Sequence, residues 1–180
     1  LSYRPHLYRD LENFRTDSRQ RFFIEASPVR GETVHLQEAL QTILAQRKYA
    51  PAVQILLGEM LSATALLAST LKIKGRISLQ IQAQGAFKWA MAECNHLGEV
   101  RALAEYEEDA RFASAQTSST VLSTLQQPVL FINIEPEVGE RYQGIVPLDK
   151  PTLAACLMQY YDLSAQISTR IVLASTAEMS

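Results

Sequence analysis

The longest apolar stretch of the sequence, from Pro51 to about Lys72, limits the possible folds more than any other feature. Its aliphatic and small residues do not keep to one stripe but cover more than one face of a helix. A helix that is apolar on several sides has to be surrounded by other elements. Pro51 suits the first turn of this helix, where the missing N–H breaks no hydrogen bond. The segment therefore predicts a buried helix at the centre of a core.

Alternating apolar and polar residues after this helix predict a sheet. Ile77, Leu79 and Ile81 alternate with serine and glutamine, which is the period of a strand with one wet face. Residues 87–94 and 99–106 repeat the pattern after short turns, so the three segments predict an antiparallel meander. Further strands are predicted at 21–26, at 129–134 and 142–148 as a hairpin, and at 170–174.

Shorter helices complete the pattern. Apolar residues three and four apart predict an amphipathic helix over 35–47, and a second short helix is predicted over 118–127. Thr152 is a plausible N-cap for a last helix that runs to about Leu163. The order of elements is neither a steady βαβ alternation nor all-β, so the fold class is α+β. We expect an antiparallel sheet packed with a long buried helix and shorter amphipathic helices. The core domain spans 18–180, preceded by a weakly ordered polar arm over 1–17.

Charge and cysteine content narrow the classes of function. The formal net charge is −2 and the isoelectric point is near 6.0, so no general attraction to nucleic acid or to an anionic membrane is expected. Cys94 and Cys156 lie far apart and outside any metal-ligand spacing. They predict two reduced, buried thiols in a cytoplasmic protein.

Motifs for catalysis are absent from the sequence. It contains no phosphate-binding loop and no nucleophile elbow. Cys94 and His96 would share a strand face only if the strand continued through Asn95, which favours a loop. Glu59 stands in the apolar helix, where it either faces solvent, pairs with a basic residue, or acts as a general acid with a shifted pKa. We predict no catalytic, cofactor-binding or metal-binding residue and no enzyme activity.

Four ordered stretches of the sequence resemble one known family. They are Val29–Glu32 with Leu36–Leu44, Leu56–Lys72 leading into Gly75–Gln82, Gly139–Val146, and Thr152–Leu157 with Tyr160 and Tyr161. Gly-Glu-Arg-Tyr-Gln-Gly at 139–144 and Thr-Leu-Ala-Ala-Cys-Leu at 152–157 are the most specific of them. On these residues the chain resembles the N-terminal, substrate-binding domain of the redox-regulated 33-kDa heat-shock chaperone family.

The resemblance implies an ATP-independent holdase of the bacterial cytoplasm that binds unfolding proteins during heat and oxidative stress, and that works as a homodimer. In that family a C-terminal region holds one zinc ion through four cysteines in CxC and CxxC motifs, and oxidation releases the zinc. Neither motif occurs here, and the sequence stops at Ser180. We therefore expect no cofactor in this chain, and zinc in a longer parent protein.

Two other readings of the sequence remain open beside the chaperone. One is a small-molecule enzyme whose site combines Glu59, Arg141 and Tyr142. The other is a plain dimerisation module. For the chaperone we predict Tyr160, Tyr161 and Leu163, at the end of the last helix, as interface residues.

Overall fold

A computed structural model describes residues 16–25, 27–71, 74–108, 112, 114, 115 and 117–177. Most of the arm predicted over 1–17 lies outside these residues, and Asp17 already belongs to the first strand. The described strands are β1 (Asp17–Phe23), β2 (Arg30–Leu36), β3 (Gly75–Gln84), β4 (Phe87–Asn95), β5 (Val100–Tyr106), β6 (Gln126–Pro136) and β7 (Tyr142–Pro147). The described helices are α1 (Glu38–Leu44), α2 (Pro51–Thr70), α3 (Ser118–Thr124) and α4 (Leu153–Tyr160), and a π-helical turn follows at Tyr161–Ala165.

The main sheet has five antiparallel strands in the order β5-β4-β3-β6-β7. The meander predicted from the alternating residues is β3-β4-β5, and the predicted hairpin is β6-β7. β1 and β2 pair with each other in a separate two-stranded ribbon. The α+β class is therefore confirmed.

Helix α2 packs mainly against β4 and its neighbours β5 and β3, on one side of the five-stranded sheet, and forms the centre of the core. Leu56, Leu57, Met60 and Leu61 are completely buried. By length and hydropathy α2 also resembles a membrane span, but two-thirds of it is buried within the fold, as in the core helix of a globular domain. The prediction of a central core helix that begins at Pro51 is confirmed.

Small side chains on the sheet allow this close packing. Ala90, Ala92 and Ala104 are fully buried on the face that meets α2, where larger side chains would hold the helix away. Ile77, Leu79 and Ile81 of β3 point to the same face and are buried as well. The alternation that predicted the meander thus separates a dry inner face from an outer face.

The ribbon corrects two of the sequence predictions. β1 starts at Asp17, ahead of the strand predicted from residue 21, and β2 was not predicted at all. His35 and Leu36 close β2 instead of opening a helix, so α1 begins only at Glu38. The cause is a long-range contact: the Asp17 carboxylate accepts hydrogen bonds from the backbone N–H of Gln37, at 2.7 Å, and of Ala39, at 3.0 Å. This carboxylate stabilises the start of α1 there.

The C-terminal predictions are partly right. The Thr152 hydroxyl accepts a hydrogen bond from the Ala155 N–H at 3.2 Å, so the predicted N-cap of α4 is confirmed. The strand predicted over 170–174 is wrong, because that segment joins no sheet among the described residues. Ile171 and Leu173 pack on the core instead. The Ser175 hydroxyl lies where a side chain on Gly58 of α2 would begin.

Candidate functional site

The outer face of the five-stranded sheet carries a row of apolar side chains. The strand registers align Leu103 of β5 with Met91 of β4, then with Gln80 of β3, Phe131 of β6 and Ile145 of β7. Four of these five side chains are apolar, and the row crosses the whole sheet. A second row beside it holds Trp89 of β4, Gln82 of β3 and Val129 of β6.

These side chains remain accessible, unlike those of the inner face. Leu103 is 41% exposed and Ile145 is 63% exposed, while Met91 and Phe131 are half-buried. None of the outer-face side chains in these two rows is buried, and α2 packs on the opposite face. We call the two rows together the outer apolar face.

Polar side chains border the outer apolar face toward the start of β3. Arg101 donates to Glu93 at 3.0 Å, Asn133 donates to Ser78 at 3.3 Å, and Gln143 donates to Asn133 at 2.7 Å. These hydrogen bonds join neighbouring strands side by side. The border therefore has fixed geometry and no unpaired charge of either sign along it.

An ionic cluster follows at the end of the sheet. The Arg76 Nε lies 2.7 Å from Glu135, and its hydrogen bond holds the pKa of that carboxyl below its ordinary value. Arg141 lies 3.9 Å from the same carboxylate, and His96 lies 3.7 Å from Glu137. The cluster surrounds a cleft of about 280 Å³. Because Glu135 already neutralises Arg76, the cleft offers little net charge to a ligand.

Glu59 does not combine with the other residues of the enzyme reading. Burial raises the pKa of its carboxyl, and a hydrogen bond with Ser118 lowers it in part. Arg141 instead lies near Glu135, and the Tyr142 hydroxyl lies 2.6 Å from that of Tyr160. Neither Glu59 nor Tyr142 lines the cleft that Arg141 lines. The three side chains thus have three separate partners, and the structure does not assemble them into one site.

Cys94 and His96 do not form a nucleophile pair. Cys94 is buried on the inner face of β4, whereas His96 lies in the following turn and accepts a hydrogen bond from the Gly75 N–H at 3.2 Å. Burial raises the pKa of both the Cys94 and the Cys156 thiols, which disfavours the reactive thiolate. Both cysteines are free and buried, as the sequence predicted.

The predicted interface residues lie at the end of α4 with different exposures. Tyr160 and Tyr161 are half-buried, and burial raises the pKa of both hydroxyls. Leu163 is 73% exposed in the π-helical turn and lines a cleft of about 500 Å³ with Met158 and Arg170. Of the three, Leu163 is the residue that another protein could reach without rearrangement, and the interface assignment stays a prediction.

Sequence reasoning did not find the outer apolar face. The alternation in β3 was visible, but it assigned the glutamines to the wet side and so predicted a polar surface. The apolar residues of that side come from the flanking strands, and they form one row only when the registers are known. Met91, Leu103 and Phe131 each lie on the alternate face of a predicted strand. The sequence thus contained the apolar residues of this face, but it did not show that the strand pairing aligns them in one row.

Comparisons with known proteins agree on one family. A family model described as Hsp33 protein matches residues 17–179. The chain is 41% identical over 157 residues to a 33 kDa chaperonin of Pseudoalteromonas atlantica, covering 87% of this chain and 52% of that protein. It is 38% identical over 164 residues to a 33 kDa chaperonin of a Shewanella species, covering 91% of this chain and 56% of that protein.

A solved structure shows the same fold. The crystal structure of a 33 kDa chaperonin from Thermotoga maritima matches with a TM-score of 0.66 at 21% identity, over 77% of this chain and 48% of that one. The chain spans about half the length of the curated relatives it matches.

Proposed function

This chain belongs to the Hsp33 family of chaperones, and on that premise we propose that it is an ATP-independent holdase that binds unfolding proteins on its outer apolar face. The observation that supports the proposal is the row from Leu103 to Ile145, which leaves apolar side chains at least partly accessible on four of the five strands. Large exposed apolar patches on a folded domain mark sites of interaction. A holdase needs such a surface and needs no catalytic group.

The strength of binding follows from the exposed side chains. Fully burying an aliphatic or aromatic side chain contributes about 1.5–3 kcal/mol, and the four apolar members of the first row are already partly buried. Covering them would contribute roughly 3–6 kcal/mol, before the entropic cost of association. One face therefore binds one extended segment weakly and reversibly, as holding a client without trapping it requires.

The polar border gives little selectivity by charge. Arg101 is paired with Glu93, and Asn133 with Ser78 and Gln143, so these side chains do not select acidic or basic clients. The surface thus favours clients by their exposed apolar residues. This suits a protein that meets many different chains as they unfold.

Control by zinc and redox state is proposed for the longer protein. Among the described residues, no three His, Cys, Asp or Glu side chains come together as metal ligands. Cys94 and Cys156, both buried and on different elements, do not fit a zinc site. We assign the zinc and its cysteines to the remaining half of the parent, and action in the bacterial cytoplasm under heat and oxidative stress. A homodimer through Leu163 and its neighbours is part of the same proposal.

The test is light scattering of a chemically unfolded client diluted into buffer with this chain, without ATP. We expect suppression of aggregation with or without reductant. Replacing both Leu103 and Ile145 by serine should remove most of the suppression. Val138→Ser is the matched control, because Val138 is 92% exposed in the turn between β6 and β7, away from the outer apolar face. Equal activity of the double variant and the control would disprove the assignment of the face.

A further inference from the structure

The two edges of the five-stranded sheet differ. At the β5 edge, the Ala104 N–H donates to the Tyr49 hydroxyl at 3.4 Å. The Tyr106 hydroxyl accepts from the Ala50 N–H at 2.7 Å, next to an ion pair of Arg47 with Glu105 at 2.9 Å. The chain between α1 and α2 thus packs along this edge and occupies one of its outward backbone groups, the Ala104 N–H.

At the β7 edge, the part of the chain that the structure describes provides no such cover. Among the described residues, no side chain or loop hydrogen-bonds to the backbone of β7 outside its ladder with β6. Its six residues, Tyr-Gln-Gly-Ile-Val-Pro, carry no charge, and the pairing with β6 runs without a bulge. Natural edge strands are usually protected by a lysine, a bulge or a covering element. β7 itself has no lysine and no bulge, the described residues 16–25, 27–71, 74–108, 112, 114, 115 and 117–177 place no covering element on its open edge, and its proline stands only at its end.

The phase of the hydrogen bonds shows which groups of β7 face outward. The His96 N–H donates to the Gly75 carbonyl at 2.8 Å, and the Glu137 N–H donates to the Lys74 carbonyl at 3.0 Å. Odd-numbered residues of β3 therefore bond toward β4 and even-numbered ones toward β6, because antiparallel pairing alternates. The even-numbered residues of β3 are paired with odd-numbered residues of β6, so these bond to β3. The even-numbered residues of β6 therefore bond in the other direction, to the even-numbered residues of β7 with which they are paired.

The odd-numbered residues of β7 are left to face the open edge. The N–H and C=O groups of Gln143 and Ile145 point away from the sheet. Pro147 has the same phase, and its missing N–H costs no ladder bond there, which is where a strand tolerates proline. The Ala104 N–H of β5 follows the same alternation, since it points outward to Tyr49.

We propose that the free edge of β7 binds an extended, non-native segment of a client protein as a sixth strand of the sheet. The inference rests on the proposed function and names the conformation of the bound client. Addition of a strand combines main-chain hydrogen bonds, which any sequence can make, with contacts of alternate side chains. The row from Leu103 to Ile145 then continues onto the added strand. Clients with apolar residues at alternate positions are therefore preferred.

The first experiment leaves the chaperone unchanged and alters a model client peptide of alternating valine and threonine. Methylating the backbone nitrogen of two successive central residues keeps the side chains but removes an N–H from each peptide edge. Fluorescence anisotropy with the 180-residue chain should show binding about two- to thirteenfold weaker, as expected for the loss of the one net hydrogen bond of about 0.5–1.5 kcal/mol on the edge that faces β7. Equal affinity of both peptides would overturn the edge assignment and leave the outer apolar face as the binding surface.

A pair of variants of this chain tests the assignment of the β7 edge by changing the chaperone instead of the peptide. Gln143→Pro removes one outward N–H without a ladder bond, and Gln143→Ala removes the same side chain but keeps that N–H. The unmethylated peptide should bind the proline variant several-fold more weakly than the alanine variant, with urea midpoints confirming that both fold. If the proline variant instead changes the molar mass in solution and binds peptide as the alanine variant does, the edge joins two copies of the chain and the client assignment is wrong. If the unaltered chain binds no peptide and suppresses no aggregation, the proposed function itself fails.

Discussion

The attachment of the β1-β2 ribbon to α2 combines apolar packing of Val34 and Leu36 with a polar contact through one buried carboxylate, and replacing that carboxylate should loosen the ribbon. Glu32 has a side chain only 8% exposed, which accepts hydrogen bonds from Arg21, at 2.7 Å, and from Ser69 of α2. Arg21 also donates to the Ser69 carbonyl at 3.0 Å. An isolated two-stranded ribbon is marginally stable, so these contacts hold β1 and β2 in place. We predict that Glu32→Gln weakens the ribbon without unfolding the core.

The magnitude follows from the partners. A hydrogen bond to a charged group contributes about 1.5–3 kcal/mol, but Arg21 is half exposed, and exposed ion pairs contribute about 0.2–1 kcal/mol. Glutamine keeps an acceptor for Ser69 and loses the charge that attracts Arg21. We therefore expect a loss of about 1–2 kcal/mol, or roughly five- to thirtyfold lower protection of the β2 amides from hydrogen exchange.

The pH dependence of the difference in stability between wild type and Glu32→Gln distinguishes an effect of the Glu32 charge from an effect of the side-chain shape. Burial raises the pKa of Glu32, but the hydrogen bonds from Ser69 and Arg21 outweigh it and leave that pKa below its ordinary value of 4.5. A carboxylate with a lowered pKa stabilises the folded state above its unfolded pKa, and this stability is lost as pH falls through the folded pKa. The gap between wild type and Glu32→Gln should thus be full at pH 7 and shrink below about pH 4.5.

The assay is amide exchange of β2, expressed as protection factors so that the pH dependence of the intrinsic rates cancels. Glu107→Gln is the matched control, because the Lys88–Glu107 pair is exposed on both sides and should change protection less than twofold. Unchanged β2 protection in Glu32→Gln at pH 7 would refute the reasoning. A gap that persists undiminished at low pH would show that side-chain shape, not charge, is responsible.

Three further predictions concern backbone strain, helix capping and thiol reactivity. Gly75→Ala should lower the free energy of unfolding by at least about 2 kcal/mol, since Gly75 has a φ of +153° and a Cβ would lie 2.3 Å from the Glu135 carbonyl oxygen. Urea unfolding monitored by tryptophan fluorescence measures this free energy, and a decrease below about 1 kcal/mol would contradict the prediction. Thr152→Ala should cost about 1 kcal/mol and Thr152→Ser much less, and equal losses would mean that the cap hydroxyl contributes nothing. Cys94 and Cys156 should react with a thiol reagent only at the rate of opening of the fold, and rapid labelling of the native protein at pH 7 would argue against their burial.

The elements whose periodicity or cap depends only on neighbouring residues could be predicted from the sequence. The apolar run after Pro51 predicted α2, and the alternation around Leu79 predicted the meander, because burial imposes those periods directly. Thr152 was found as an N-cap since the cap lies beside its own helix. Each of these predictions needed only neighbouring residues.

Long-range contacts explain what the sequence did not reveal. The start of α1 depends on Asp17, twenty residues before the amide it binds, and no local pattern shows that contact. The segment around Val172 alternates like a strand, but pairing needs a neighbour that no pattern identifies. The outer apolar face was hidden for the same reason, because Phe131 and Ile145 become neighbours of Met91 only through the registers of three strand pairs.

Because β3 lies at the centre of the sheet, correct folding depends on which of its two alternating sets of side chains faces the core. Its odd-numbered aliphatic residues face α2, its even-numbered glutamines face outward, and both neighbouring strands are aligned to that choice. A slip of one residue would exchange the two sets and bring Ile77, Leu79 and Ile81 into water, at a cost of roughly 5–9 kcal/mol. That cost is comparable with the whole stability of a typical domain, about 5–15 kcal/mol. A molecule folded in the slipped register would therefore be little more stable than an unfolded chain, and the chaperone would itself become a client.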